Sequence, residues 1–288
     1  MLVFKRMTAL AVAICGLLAG LLADLVEASA QLGQPTNWQM NLQQSATPVM
    51  DEIVTFHTIL LWVIALITAF VLVLLAIIAV RFNAKSNPTP SRTTHNAGLE
   101  IAWTVVPVII LVLIAIPSFR LLFFQLNMPP ADLTVKATGR QWYWTYNYVD
   151  NGKFEFDSVI VRDQAKLRPD QPRLLGVDNE MVVPVNKTVR VLTTGFEVIH
   201  AFAVPAFGIK IDAIPGRVNE TWFKATREGI YYGQCSELCG KDHAFMPIAV
   251  RVVTEQAFNA WVEDSKKKWA REDSAPTNFA AAGQSLTP

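Results

Sequence analysis

The sequence predicts two membrane-spanning helices followed by an all-β domain, a sandwich or Greek-key barrel, with a short helix after it. Three observations carry that expectation. Two long uncharged apolar runs occupy residues 58–80 and 101–119. From residue 131 the chain turns into short β-branched and aromatic stretches separated by turn residues, the pattern of packed strands. Residues 255–271 then carry Phe258, Trp261 and Val262 at helical spacing, which reads as one amphipathic helix.

Taken in order, residues 1–30 have the form of a cleaved signal peptide. Lys5 and Arg6 open it, an apolar run covers residues 8–22, and Ala28-Ser29-Ala30 supplies small residues for cleavage. A retained helix is the competing reading, but the run is short and Asp24 interrupts it. Cys15 follows Ile14, which is bulkier than the small residue that usually precedes a lipid-attachment cysteine. Residues 31–57 form an outer N-terminal segment. The first span, residues 58–80, has 23 residues without a charge, enough to cross a bilayer with some tilt. The second is expected over residues 101–124; its uncharged part, 101–119, would be about 28 Å long as a helix. Pro107 and Pro117 lie inside it and are tolerated in membranes, where neighbouring groups re-satisfy the freed carbonyls. Between the spans, residues 81–100 carry Arg81, Lys85 and Arg92, which assigns that loop to the cytoplasm. Both flanks then face outward, in agreement with an exported N-terminus.

Strands are expected at L-T-V-K-A-T, W-Y-W-T-Y-N-Y, F-E-F-D-S-V-I-V, M-V-V-P-V, T-V-R-V-L-T-T, N-E-T-W-F-K-A, G-I-Y-Y-G and I-A-V-R-V-V, all within residues 131–254. Residues 272–288, rich in Ala, Ser, Thr and Pro, read as a loose tail. Composition agrees with a chain that is part membrane and part aqueous, with 52% hydrophobic and 17% charged residues. A formal net charge of +1 excludes a general nucleic-acid binder. Three cysteines are too few for a disulfide scaffold, and two of them, Cys235 and Cys239, fall in the exported domain.

One stretch carries the chemistry. Y-Y-G-Q-C-S-E-L-C-G-K-D-H-A-F-M-P, residues 231–247, sets Cys235, Cys239, His243 and Met246 at C-x3-C-x3-H-x2-M spacing. His200 closes G-F-E-V-I-H upstream. Two thiolates, two imidazoles and a thioether form a soft nitrogen–sulfur set that suits copper better than magnesium, calcium or manganese. A disulfide between the two cysteines is an alternative in an exported domain, but it leaves His243 and Met246 unexplained. Structural zinc is another, yet the spacing is unlike finger sites and zinc has no use for Met246. The histidines could also be ordinary polar residues; only four exist, however, and two flank this motif. His57 and His95 flank the spans and should not reach it. A blue-copper site needs one cysteine, so two in one loop fit a pair of coppers bridged by both sulfurs. Sharing one charge over two metals keeps each bond change small on reduction.

Residues 231–247, H-A-F-A-V-P-A-F-G-I-K-I-D-A-I-P-G-R at 200–217 and G-R-Q-W-Y-W-T-Y-N-Y at 139–148 resemble cytochrome c oxidase subunit II, over roughly residues 50–254. The resemblance implies a cupredoxin-like barrel holding the binuclear copper centre CuA. By that resemblance Cys235 and Cys239 bridge two coppers, His200 and Met246 complete one, and His243 with the Glu237 carbonyl completes the other. The Glu237 side chain reaches a magnesium site shared with subunit I. Trp142 matches the position where electrons arrive from cytochrome c, as an exposed indole on its strand, and Trp144 packs the barrel instead. Packing is the competing reading for Trp142 too. Glu100 matches the mouth of a proton pathway into subunit I; a carboxylate favoured at a helix N-terminus is the alternative.

The implied protein is thus the electron-accepting subunit of a bacterial proton-pumping oxidase. Its partners are subunit I with haem and a second copper, subunit III and cytochrome c, and its place is the inner membrane with the C-terminal domain outside. No C-x-x-C-H occurs, so the chain carries no attached c-type haem, and oxygen chemistry belongs to a partner. Quinol oxidase subunits lack these copper ligands, and nitrous oxide reductase is soluble. A membrane-tethered copper chaperone or sensor is the alternative from another class. Two positions depart from the family pattern: Glu197 stands where Asp is usual, and Asn147 where Glu is frequent. With fifteen basic and fourteen acidic residues over 131–254, an acidic docking patch for a basic cytochrome c must be local, with Asp150, Glu155, Asp157, Asp178 and Glu180 as candidates.

Overall fold

The computed structural model describes residues 33–152 and 154–269. The expected signal peptide and C-terminal tail lie outside the described residues. Helix α1 spans Pro48–Arg81 and α2 spans Ala97–Leu126. Both exceed the apolar runs that announced them. Helix α1 begins early because Thr47 caps it, accepting from the Met50 amide at 3.1 Å, and Pro48 takes the first turn. Asn96 caps α2 by accepting from the Leu99 amide at 3.1 Å. Pro107 and Pro117 are accommodated within it. The apolar windows of both helices are unburied, as expected of surfaces meant for lipid or partner helices.

Ten strands follow among the described residues, two more than the eight expected. They are β1 (Leu133–Arg140), β2 (Tyr143–Tyr148), β3 (Glu155–Ser158), β4 (Met181–Pro184), β5 (Thr188–Gly195), β6 (His200–Val204), β7 (Ile209–Ala213), β8 (Asn219–Lys224), β9 (Gly229–Cys235) and β10 (Pro247–Val253). The additions, β6 and β7, lie in the stretch that sequence comparison had singled out as a motif. They form two five-stranded sheets, ordered β3-β2-β1-β5-β8 and β4-β10-β9-β6-β7. Pairing is parallel for β1 with β5 and for β10 with β4, and antiparallel elsewhere. The core lies between the sheets, where alternate residues of β1 are buried and Trp144, Tyr146, Phe202, Phe223 and Tyr231 fill the space. Each such aromatic contributes on the order of 2–3 kcal/mol by leaving water. Tyr148 ties the sheets together: its hydroxyl donates to the Val182 carbonyl at 2.6 Å and accepts from the Val182 amide at 2.8 Å.

Helix α3, Glu255–Trp269, closes one end of the sandwich. Its Trp269 stacks on Phe156 with centroids 4.5 Å apart. Between β3 and β4 the chain makes a long excursion. Its two arms are laced together at Ile160 and Val177, and by the Val161 amide donating to the Gly176 carbonyl at 2.9 Å. Glu180, whose side chain is 5% exposed, anchors the excursion through ion pairs with Arg168 and Arg251.

The β domain grips both outer ends of the helical hairpin. The Thr47 hydroxyl donates to the Phe207 carbonyl at 2.7 Å, and Trp222 Nε1 donates to the Gln125 carbonyl at 3.0 Å. The start of α1 and the end of α2 therefore lie on the same side, with residues 82–96 at the other. Both flanks of the hairpin thus share one side, as expected.

Candidate metal centre and its surroundings

The donors converge at one end of the sandwich. His200 is the first residue of β6, Cys235 the last of β9, and the remaining donors lie in the loop that leads into β10. The two Sγ atoms are 3.9 Å apart, well beyond the roughly 2.05 Å of a disulfide, and both cysteines are free. Cys235 Sγ has His200 Nδ1 at 3.8 Å and the Glu237 carbonyl at 3.3 Å. Cys239 Sγ has His243 Nδ1 and Met246 Sδ, each at 3.5 Å. Four further donors thus surround the two sulfurs, making six in all, and His200, Cys235 and Cys239 alone offer ligand atoms within 4.8 Å of one another. His57 and His95 take no part, as expected.

The electrostatics agree with a cation site. Burial holds the His200 imidazole below its ordinary pKa; Glu197 opposes this and His243 adds to it. The ring is therefore neutral at neutral pH, the form that binds metals. His200 Nε2 is buried and lacks a hydrogen-bond partner among the described residues, so neither ring nitrogen is committed to an ordinary polar contact. Burial pushes the Cys239 thiol up to about 12, with Cys235 adding to the rise. Two adjacent buried thiolates need positive charge, and a bound metal supplies it while displacing the protons. The donor chemistry fits copper: sulfur and imidazole in number for two ions, with a thioether that only a soft metal uses.

Several residues that sequence reasoning passed over shape this end. Gly139 on β1 faces the His200 ring, and a Cβ there would lie 2.6 Å from Cδ2. Trp144, expected only to pack the barrel, is fully buried and also donates from Nε1 to the Met246 carbonyl at 3.3 Å, beside His200. Trp142 departs from its expected exposed place on a strand. It occupies the turn between β1 and β2, half-buried, and its Nε1 donates to the Cys239 carbonyl at 3.0 Å. Gly240, at φ +126°, leaves room for the indole, which a Cβ would meet at 2.8 Å. Lys241 Nζ stands 5.6 Å from the centroid of the Trp142 ring.

The remaining expectations divide. Glu237 is exposed in the metal loop. Glu100 lies in the first turn of α2 and accepts from the Asn96 amide at 3.2 Å, so it completes a helix cap whatever else it does. Glu180 is corrected as a docking acid: it is buried between two arginines, while Asp157 and Asp178 are exposed.

Comparison with known proteins then decides the family. The family model for the periplasmic domain of cytochrome c oxidase subunit II matches residues 133–253, and that for its transmembrane domain matches residues 35–121. The chain belongs to the cytochrome c oxidase subunit II family. It is 53% identical over 234 residues to the probable cytochrome c oxidase subunit 2 of Rickettsia bellii, covering 81% of this chain and 87% of that protein. With cytochrome c oxidase subunit 2 of Cereibacter sphaeroides it shares 46% identity over 270 residues, covering 86% and 89%. Among solved structures, the periplasmic domain of cytochrome oxidase subunit II of Bradyrhizobium japonicum is 70% identical, with a TM-score of 0.47, covering 50% of this chain and all of that one. Like its family, the chain is a membrane-anchored, CuA-type subunit of a haem–copper terminal oxidase and serves electron intake. Membership favours this reading over a tethered copper chaperone or sensor.

Proposed function

We propose that Cys235, Cys239, His200, His243, Met246 and the Glu237 carbonyl would together hold a pair of copper ions. The observation that carries this is the convergence of four further donors on two sulfurs 3.9 Å apart. When bound, the copper pair supplies one-electron chemistry with the charge shared between two metals. The chain's part is to hold the donors still. His200 is fixed on β6 by Trp144 and by the space at Gly139, and the loop is hung from Trp142 at one end and Trp144 at the other. A support that does not move lowers the cost of changing charge.

Electrons from cytochrome c arrive at Trp142, whose indole hydrogen bond leads directly to the Cys239 backbone. They leave for haem in subunit I, which with its second copper reduces oxygen and pumps protons. The exposed Glu237 carboxylate is suited to a magnesium ion at the interface with that subunit, and subunit III completes the assembly. Glu100 stands at the cytoplasmic mouth of a proton pathway, supported by its position at the inner end of α2. The setting is a bacterial inner membrane, with the β domain on the periplasmic side, the side opposite Arg81, Lys85 and Arg92.

Metal analysis and electron-spin resonance of the full chain, assembled in its oxidase, test the assignment. Two coppers per subunit II beyond the partner's own, with hyperfine splitting from two equivalent nuclei, are expected. One copper per chain, or zinc preferred when copper is plentiful, overturns it.

A further inference from the structure

The loop that carries His243 and Met246 is held at its ends by the two tryptophan hydrogen bonds. Its middle is a short 3-10 turn, His243–Phe245, closed by the Phe245 amide donating to the Asp242 carbonyl at 2.8 Å. Asp242 precedes this turn, but its side chain caps no amide of it. Instead the Asp242 carboxylate pairs with Arg162, whose Nη2 lies 3.3 Å from Oδ2. The same guanidinium stands over the Phe245 ring, 5.1 Å from its centroid. One side chain therefore touches both ends of the turn, next to one donor residue on each side.

Arg162 is itself well founded. The backbone just before it is laced to the returning arm of the excursion: Val159 donates to Asp178 Oδ1 at 2.7 Å, and Val161 donates to the Gly176 carbonyl at 2.9 Å. Ile160 and Val177 beneath are buried. The excursion is anchored in turn on β10 by the Arg168–Glu180–Arg251 cluster. A planar guanidinium can hold a carboxylate and cover an aromatic face at once, which an ammonium cannot do equally well.

We propose that Arg162 is a positioning residue of the metal loop, acting through Asp242 and Phe245 on the placement of His243 and Met246. This rests on the proposed ligand set. An exposed ion pair alone contributes little, so the effect comes from the two contacts acting together on a turn whose amides no side chain caps. The consequence falls on the loop-borne donors rather than on folding, since the Arg162 side chain is 57% exposed.

The test compares Arg162→Ala, Arg162→Lys and Asp242→Asn in the full chain within the assembled oxidase. Copper content, the hyperfine pattern, the site's reduction potential and the rate of copper loss to a chelator are the readouts. Arg162→Ala should retain two coppers, show altered hyperfine splitting and a shifted potential, and lose copper about tenfold faster, the equivalent of one ion pair and one cation–π contact. Arg162→Lys should rescue the spectrum in part and Asp242→Asn should lie between. In a double-mutant cycle, Asp242→Asn should add less in the Arg162→Ala background than in the unmodified chain. An Arg162→Ala protein with unchanged spectrum, potential and copper-loss rate overturns the inference. Should the unmodified chain itself fail to hold two coppers, the ligand assignment falls instead, so the two failures are distinct.

Discussion

The donor set divides into a strand-borne half and a loop-borne half, and the two are held differently. His200 and Cys235 sit on β6 and β9, in antiparallel register with neighbours that cannot shift without breaking the sheet. His200 is fully buried and enclosed by Trp144 and the gap at Gly139. Cys239, His243 and Met246 lie in a loop, where His243 is only half-buried and order comes from a few side-chain contacts. One half therefore draws rigidity from the whole fold, and the other from individual residues that a single substitution can remove.

The largest effect should come where the halves meet. Cys235→Ser and Cys239→Ser should each abolish the shared-copper spectrum, because one sulfur belongs to each half and the proposed pair of coppers would need both. Electron-spin resonance with copper analysis checks this; a normal centre surviving in either variant would separate the halves.

Next in size, Gly139→Ala should strike the strand-borne half. The new methyl meets the His200 ring on a strand that cannot retreat, at a cost of about 1–3 kcal/mol in domain stability. A lowered denaturant midpoint and loss of copper are expected; an unchanged midpoint would mean the sheet gives more than this comparison allows. Trp142→Phe should act on function more than on fold. It removes one hydrogen bond, worth about 0.5–1.5 kcal/mol, and should slow electron acceptance from cytochrome c in stopped flow while copper content holds. Equal loss of stability and transfer would return Trp142 to a packing role. Met246→Leu should be milder still, keeping two coppers while shifting potential and electron sharing, since a thioether is a weak ligand.

The smallest effect concerns docking. With Glu180 neutralised by arginines, Asp150, Glu155, Asp157 and Asp178 remain the candidates to attract a basic cytochrome c. The association rate should fall only modestly as salt rises, over distances of about 10 Å. A flat profile across a salt series would remove electrostatic steering without touching the metal site.

The site was legible in the sequence because most of its donors fall in one loop, where spacing alone reveals them. His200 was the exception, found because histidines are scarce. The fold was legible where alternation was strong, as in β1 and β5. Strands β6 and β7 escape notice because each is only five residues long: H-A-F-A-V is buried at four of its five positions and shows no alternation, while I-K-I-D-A alternates over too short a span to stand out. The early start of α1 was written in Thr47-Pro48, a cap followed by a first-turn proline, yet an apolar window cannot register it. The buried state of Glu180, the place of Trp142 and the Arg162–Asp242 pair depend on contacts between residues far apart in the chain. No local pattern encodes these.

The two attachments between the hairpin and the β domain have a further consequence. A domain on a single tether would swing, and the gap from its donors to any acceptor in the membrane would vary from moment to moment. Because Phe207 holds the start of α1 and Trp222 the end of α2, the domain stands on two legs. Its height above the bilayer is set by the hairpin. Tunnelling falls off exponentially with separation, so a fixed stand-off turns a fluctuating transfer rate into a constant one.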